Sequence, residues 1–379
     1  MKKHTKKFIF IVAISIYCLT LNSCTQKPDF GLVFSAFDPE SNMFGVFQIN
    51  DGEKEIKRIY TYQHNFQRIF LEDVSSTGKT ILVKNIANLT EKNKEGDQGL
   101  GVYTTEGDNA LKQVVALPQG INIADLSPDE TKIALIDASE HFSSLWVGNY
   151  PDFNAEEAIE VGTSVWWFGI AWSPNGKEIA YQKAVKCLAN CSKYKLYSEI
   201  HIVDISTLKD VKITDVSLSC IQPKWSQTAK WIAVNCVNPD FVSSTLVLVS
   251  SDGKQMHSVI GSGKNGASVY DYAWSPNGKW ISYIERVGNE FSIYIFNPDR
   301  NQIKKIPINL LNNLTEIRDI AWTPDGLRLI AITSNWQNVK NKEGKSFEQI
   351  VVTNLDGSNQ QIITSTLEDI NNLFVINLR

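Results

Sequence analysis

Long hydrophobic runs are almost missing from this 379-residue chain: beyond the extreme N-terminus no apolar stretch reaches the 18–20 residues needed to span a bilayer. That argues against a polytopic membrane protein. Clusters of Lys and Arg are missing beyond the N-terminus too. The formal charge is −4, and four of the 37 basic residues but none of the 41 acidic ones fall in residues 1–23. The remainder is therefore more acidic still, which argues against a nucleic-acid partner, because such proteins neutralise phosphates with cations. Helical periodicity is absent. No G-x-S-x-G nucleophile elbow and no EF-hand calcium loop occur. Gly78-Lys79-Thr80 and Gly344-Lys345-Ser346 mimic the end of a P-loop, but the earlier Gly is replaced by Asp73 and Val339, so no nucleotide site is expected. The His residues, at 4, 64, 141, 201 and 257, share no common position, so neither a metal centre nor another cofactor is expected.

What is present begins with a processing signal. Residues 1–7 are positive and Phe8–Leu21 is apolar over 14 residues, too short for a membrane helix and right for a signal-peptide core. Leu21-Asn22-Ser23-Cys24 resembles a bacterial lipobox, although Asn22 is less usual at its position. The resemblance implies cleavage after residue 23 and a lipidated Cys24. Diacylglyceryl and acyl (palmitate-type) chains together anchor a protein stably, whereas one chain binds marginally. Thr25 follows, with no inner-membrane retention Asp, so an outer-membrane or surface address is expected. Residues 24–30 read as a tether and 31–379 as one domain.

That domain is written as a repeat. DIAWTPDGLRLIAIT (319–333), DYAWSPNGKWISYI (271–284) and GIAWSPNGKEIAYQ (169–182) are the strong copies. QPKWSQTAKWIAVN (222–235), ADLSPDETKIALID (124–137) and EDVSSTGKTILVK (72–84) are weaker ones. Aligned on the Ser or Thr at 75, 127, 173, 226, 275 and 323, the steps are 52, 46, 53, 49 and 48 residues. Each copy is a strand, a Pro-Asn/Asp-Gly turn and a second strand, with two further strand signals behind it. Four antiparallel strands per roughly 50 residues describe β-propeller blades.

The pattern W-S-P-[ND]-G-K-x-I-A resembles the TolB-like, WD-repeat-like propeller family over residues 30–379. Residues 31–60 read as three strands lacking a first, and 369–378 as one strand alone. Seven blades, the ring closed by the C-terminal strand beside the N-terminal ones, is the expected architecture; six with ragged ends is the alternative. TolB's preceding α/β domain and the hydrolase domain of prolyl-oligopeptidase-like proteins have no counterpart here. The related oligogalacturonate lyases use a channel metal with His ligands, and no matching His set is found.

Trp172, Trp225, Trp274 and Trp322 recur at one position and read as inter-blade packing. Asp271 and Asp319 share one repeat position, Asp73 and Asp125 another. These four either converge near the axis to meet a ligand or bind backbone amides of neighbouring blades. Four Cys remain after Cys24, with three possible pairings. Counted from residue 228 in the 226–229 turn, Cys220 lies eight back and Cys236 eight forward, so they are expected to pair, leaving Cys187 with Cys191. The short uniform turns occupy one face of the disc. The other is expected to carry the long loops 84–99, 183–198 and 334–347 and the segment Val165-Trp166-Trp167-Phe168. Trp166, Trp167 and Trp336 lie off the repeat register and, with Arg318, Asp271 and Asp319, are the candidate ligand residues. The expected function is that of a lipid-anchored extracytoplasmic scaffold binding an envelope protein or glycan. The alternative is a carbohydrate-active lyase or hydrolase using the channel carboxylates.

Overall fold

The computed structural model describes residues 30–52, 55–61, 69–85, 99–104, 111–116, 121–137, 143–185, 198–237, 243–259, 266–308, 316–335, 347–363 and 367–378. Cys24, Cys187, Cys191 and Trp336, and most of the three long loops, lie outside them. The described chain is almost entirely antiparallel strand. The first strands are β1 (Phe30–Asp38), β2 (Met43–Asn50) and β3 (Lys57–Thr61), followed by β4 (Ile69–Val74), β5 (Thr80–Asn85), β6 (Gly99–Thr104) and β7 (Leu111–Ala116). Next come β8 (Ile121–Leu126), β9 (Lys132–Asp137), β10 (Ser143–Asn149), β11 (Ile159–Trp172), β12 (Glu178–Ala184), β13 (Ser198–Asp204) and β14 (Asp210–Lys212). Then follow β15 (Cys220–Trp225), β16 (Trp231–Val237), β17 (Ser244–Ser250) and β18 (Met256–Val259). After them run β19 (Ala267–Trp274), β20 (Ile281–Val287), β21 (Glu290–Asn297) and β22 (Gln302–Ile306). The last are β23 (Glu316–Trp322), β24 (Arg328–Asn335), β25 (Phe347–Asn354), β26 (Gln361–Ile363) and β27 (Glu368–Asn377).

Five sheets have four strands; one has seven, ordered from β14 to β8. The large sheet exists because β11 is continuous. Its first half pairs with β10 (Val147 opposite Ile159) and its second half with β12 (Trp172 opposite Ile179). It is thus the last strand of one four-stranded unit and the first of the next. Trp166 and Trp167 lie in the middle of this strand rather than in a connecting loop. Counting β11 in both units, the described strands form seven four-stranded units. One of them is assembled from both ends of the chain, with β27 beside β1 (Gly31 opposite Ile376), as the strand count of residues 31–60 anticipates. This pairing covers an edge that would otherwise template aggregation.

The repeat turn explains why a Ser or Thr marks every copy. In the 275–280 turn, Gly278 N–H donates to the Ser275 carbonyl at 2.8 Å. Ser275 Oγ accepts Trp280 N–H at 2.9 Å and donates to Asn277 Oδ1 at 2.9 Å. The fourth residue takes a left-handed conformation, which glycine adopts freely: φ is +64° at Gly278 and +68° at Gly326. Glu130 and Ala229 adopt φ +56° at the same position, against a steric cost of about 1–2 kcal/mol. Cys220 and Cys236 face one another across β15 and β16 and are disulfide-bonded, as expected. Apolar clusters fill the space between units. Trp172 is buried in one with Ala134, Ile136 and Leu145 of the preceding unit, and Trp322 in another with Ile284, Ile293 and Ile295.

Candidate functional site: the axial cavity

The innermost strands carry the chemistry. Every one of them (β4, β8, β11, β15, β19, β23 and β27) has at least one extra residue relative to the second strand it pairs with. Such bulges bend a strand and redirect its side chains. All seven inner strands line one cavity of about 1010 Å³.

Two carboxyl pairs face it. Asp73 Oδ1 accepts its own strand's Val74 N–H at 2.7 Å, and Oδ2 accepts Leu126 N–H of the next unit at 2.9 Å. Asp125 is hydrogen-bonded to Asp73; burial and the neighbouring Asp73 push Asp125 well above the usual carboxylate value. Burial raises Asp73 as well, against its backbone hydrogen bonds. Four units on, Asp271 Oδ2 accepts Ile320 N–H at 3.0 Å and Oδ1 accepts Lys224 Nζ at 2.8 Å. Asp319 Oδ2 accepts Leu373 N–H of the ring-closing strand at 3.0 Å. Asp271 and Asp319 are also hydrogen-bonded to each other. Burial pushes Asp271 up, but Lys224 and its hydrogen bonds outweigh that and hold it below the ordinary carboxylate value. Burial and the Asp271 charge push Asp319 up to about 8. Burial alone would depress Lys224; Asp271 reverses this and raises it.

The candidate residues are therefore distributed as follows. Asp271 and Asp319 are brought together, with Asp73 and Asp125 on the same cavity. Asp73, Asp271 and Asp319 also bind amides of the adjoining unit, the alternative role foreseen for these carboxylates. Arg318 lines the cavity, ion-paired to the buried Glu348 and to Glu316 at 3.2 Å. Glu348 in turn accepts Ile370 N–H, a second tie to β27. Lys224, Gln222 and Tyr270 also line the cavity, although no motif singled them out. Lys224 was discoverable: it holds the same repeat position as Asp73 and Asp125, two residues before the Ser.

A second belt runs outside the carboxylates. Trp172 Nε1 donates to the Asp125 carbonyl at 3.2 Å, Trp274 to Lys224 at 3.0 Å and Trp322 to Ala273 at 3.0 Å. Each bond joins consecutive units, at the residue just before the Trp position. Trp225 Nε1 is buried and finds no acceptor among the described residues, so the belt is interrupted between the units starting at β11 and β15. Among the described residues no group of three or more His, Cys, Asp and Glu is placed to hold a metal ion. His201 sits on the third strand of its unit, 3.0 Å from Asp210 and 3.3 Å from Glu199, and His257 stacks edge-on to Trp231.

No protein-family model matches the chain, and no curated protein matches it. Solved structures do. Oligogalacturonate lyase from Vibrio parahaemolyticus aligns with TM-score 0.60 and 15% identity over 87% of this chain and 84% of that one. A Mycobacterium tuberculosis puromycin-hydrolyzing peptidase aligns with TM-score 0.61 and 12% identity, covering 90% of this chain and 53% of its own. TolB from Acinetobacter baumannii aligns with TM-score 0.51 and 12% identity, over 90% of this chain and 65% of that protein. The chain thus spans under two thirds of TolB and about half of the peptidase. At such identities the likeness is one of fold: the chain is built as a β-propeller of the TolB-like kind.

Proposed function

We propose that this chain is a lipid-anchored, extracytoplasmic β-propeller that binds a protein or glycan partner at the bacterial cell envelope. Residues 1–23 act as the signal segment, Cys24 carries the lipid, and residues 24–30 tether a single domain over 31–379. The observation supporting binding over catalysis is how the carboxylates are engaged. Asp73, Asp271 and Asp319 each hold a backbone N–H of the adjoining unit, and Asp271 uses its other oxygen on Lys224. Those bonds hold the cavity in shape and compete with proton transfer to a substrate. The cavity itself, at about 1010 Å³, lies at the upper end of ligand-site sizes. Trp166, Trp167, Trp336, Arg318, Asp271 and Asp319 are the proposed contact residues; no nucleotide, nucleic acid or cofactor is invoked.

One observation favours the second reading, a carbohydrate-active lyase or hydrolase. Asp319 keeps its proton near neutrality, the state a general acid requires. Against it, two carboxyls in direct hydrogen bond sit closer than the roughly 5–9.5 Å separation of glycosidase pairs. A thermal-shift screen against glycans and envelope extracts, with product analysis on every glycan that binds, separates the two. A ligand that raises the melting temperature and is recovered unchanged supports binding. Release of new reducing ends or unsaturated sugars, lost in Asp319→Asn, would overturn it in favour of the enzyme.

A further inference from the structure

Among the described residues, the exposed large apolar side chains other than Leu208 and Leu327 in turns and Leu378 just past the last strand fall into two groups. Ile159, Val211, Met256, Ile303 and Ile362 sit on the fourth strands, at the outer rim. Tyr270, 37% exposed, sits on inner strand β19 and lines the axial cavity. An aromatic ring left in water at a cavity wall offers a contact surface, provided it is held still; a freely rotating one loses entropy on binding.

Tyr270 is held. Phe291 meets it edge to face, with centroids 5.3 Å apart and planes at 71°. The Arg286 guanidinium lies 5.7 Å from the Tyr270 ring centre and 5.6 Å from that of Phe291. Its Nη1 donates to Tyr270 Oη and its Nε to the Gly288 carbonyl at 2.6 Å. The ring is therefore positioned before any ligand arrives. On the adjoining inner strand Gln222 is exposed, lines the same cavity, and its side-chain amide has no hydrogen-bond partner among the described residues. The cations lining the cavity are already ion-paired, Lys224 with Asp271 and Arg318 with Glu348 and Glu316, and Arg286 spends its Nη1 and Nε on Tyr270 Oη and the Gly288 carbonyl.

We propose that Tyr270, clamped by Arg286 and Phe291, is the stacking platform of a saccharide subsite in the axial cavity, taking a neutral pyranose ring with Gln222 as a hydroxyl partner. A sugar's C–H face suits an aromatic ring, and its hydroxyls suit an amide. An anionic sugar finds no unpaired cation among the described residues that line the cavity, where Lys224 and Arg318 are both held by carboxylates. A cationic ligand meets Arg286 already against the ring. The assignment rests on reading the cavity as a binding site and narrows it to one ligand class.

The test uses the full chain in detergent, titrated with neutral cello-, xylo-, manno- and chito-hexaose, with hexagalacturonate and with a Lys-rich peptide. At least one neutral hexaose is expected to bind. Tyr270→Ala should weaken it about tenfold and Gln222→Ala about threefold, while Tyr270→Phe, which keeps the ring, stays within about twofold. Circular dichroism checks that each variant is folded; if Tyr270→Ala is not, Arg286→Ala, which frees the ring, should weaken binding instead. A neutral sugar bound equally by wild type, Tyr270→Ala and Gln222→Ala overturns the platform and leaves the binding function standing. Binding of hexagalacturonate or the peptide alone overturns the ligand class. Binding of none of the probes overturns the saccharide assignment, and the binding function then rests on whether envelope proteins shift the melting temperature.

Discussion

Asp319 donates its proton to Asp271 across the seam between two neighbouring units, while its Oδ2 holds the Leu373 N–H of the strand that closes the ring. One carboxyl pair thus joins three consecutive inner strands, β19, β23 and β27. The proton makes this possible: two full charges at hydrogen-bond distance would repel strongly in a buried site. The consequence is a stability that depends on pH.

Asp319 is raised from the ordinary 3.8 to about 8. The folded state therefore binds this proton more tightly than the unfolded chain, and its contribution is full below about pH 4 and lost as pH rises through 8. The melting temperature should fall between pH 6 and pH 9. Asp319→Asn keeps an acceptor for Leu373 and a donor for Asp271 without an ionisable proton, so its melting curve should be flatter across that window. Equal slopes for wild type and variant would show that the pair does not share a proton.

The interrupted indole belt makes a paired comparison. Trp274→Phe removes the indole N–H that donates to the Lys224 carbonyl and should cost about 1 kcal/mol more than Trp225→Phe, whose indole N–H has no partner among the described residues. Denaturant unfolding of both variants measures the difference; equal losses would mean that ring volume alone matters at these seams.

Ring closure is tested by removing residues 369–379. Ile370, Leu373 and Ile376 are buried, and losing them should cost roughly 5 kcal/mol or more and expose the β1 edge to aggregation. An unchanged melting temperature would favour six units with loose ends.

The Cys220–Cys236 bridge closes a loop of sequence separation 16, worth about 3 kcal/mol in the chain-entropy account. The double Ala variant should melt correspondingly lower, and wild type should approach it under reductant. Non-reducing peptide mapping is expected to join Cys187 to Cys191; a link from either to Cys220 or Cys236 would refute that pairing.

Cys24→Ala should leave the membrane fraction and enter the aqueous phase of a detergent extraction. A variant correctly cleaved yet still membrane-bound would refute lipid attachment at this residue.

Sequence alone was enough for whatever is decided within a few residues. The Ser-Pro-Asn-Gly turn closes by bonds between residues two to five apart, so its chemistry is visible in every copy. Cys220 and Cys236 flank one such turn symmetrically, and that symmetry set their pairing. The recurring Trp announced a seam because a large apolar residue at fixed phase must pack against its neighbour unit. Other features waited for the tertiary structure because they join residues one repeat apart. Lys224 reaches Asp271, 47 positions on, and Asp319 reaches Leu373, 54 positions on. Which partners meet depends on the bulge in each inner strand, and a shift of one residue there turns a side chain from the seam to the cavity. The continuity of β11 was hidden for the same reason: Val165 pairs with Ser143 of the preceding unit on one side and with Lys183 of the next on the other, so one strand joins both units. Tyr270 became a candidate only when Arg286, Phe291 and the open cavity were seen around it.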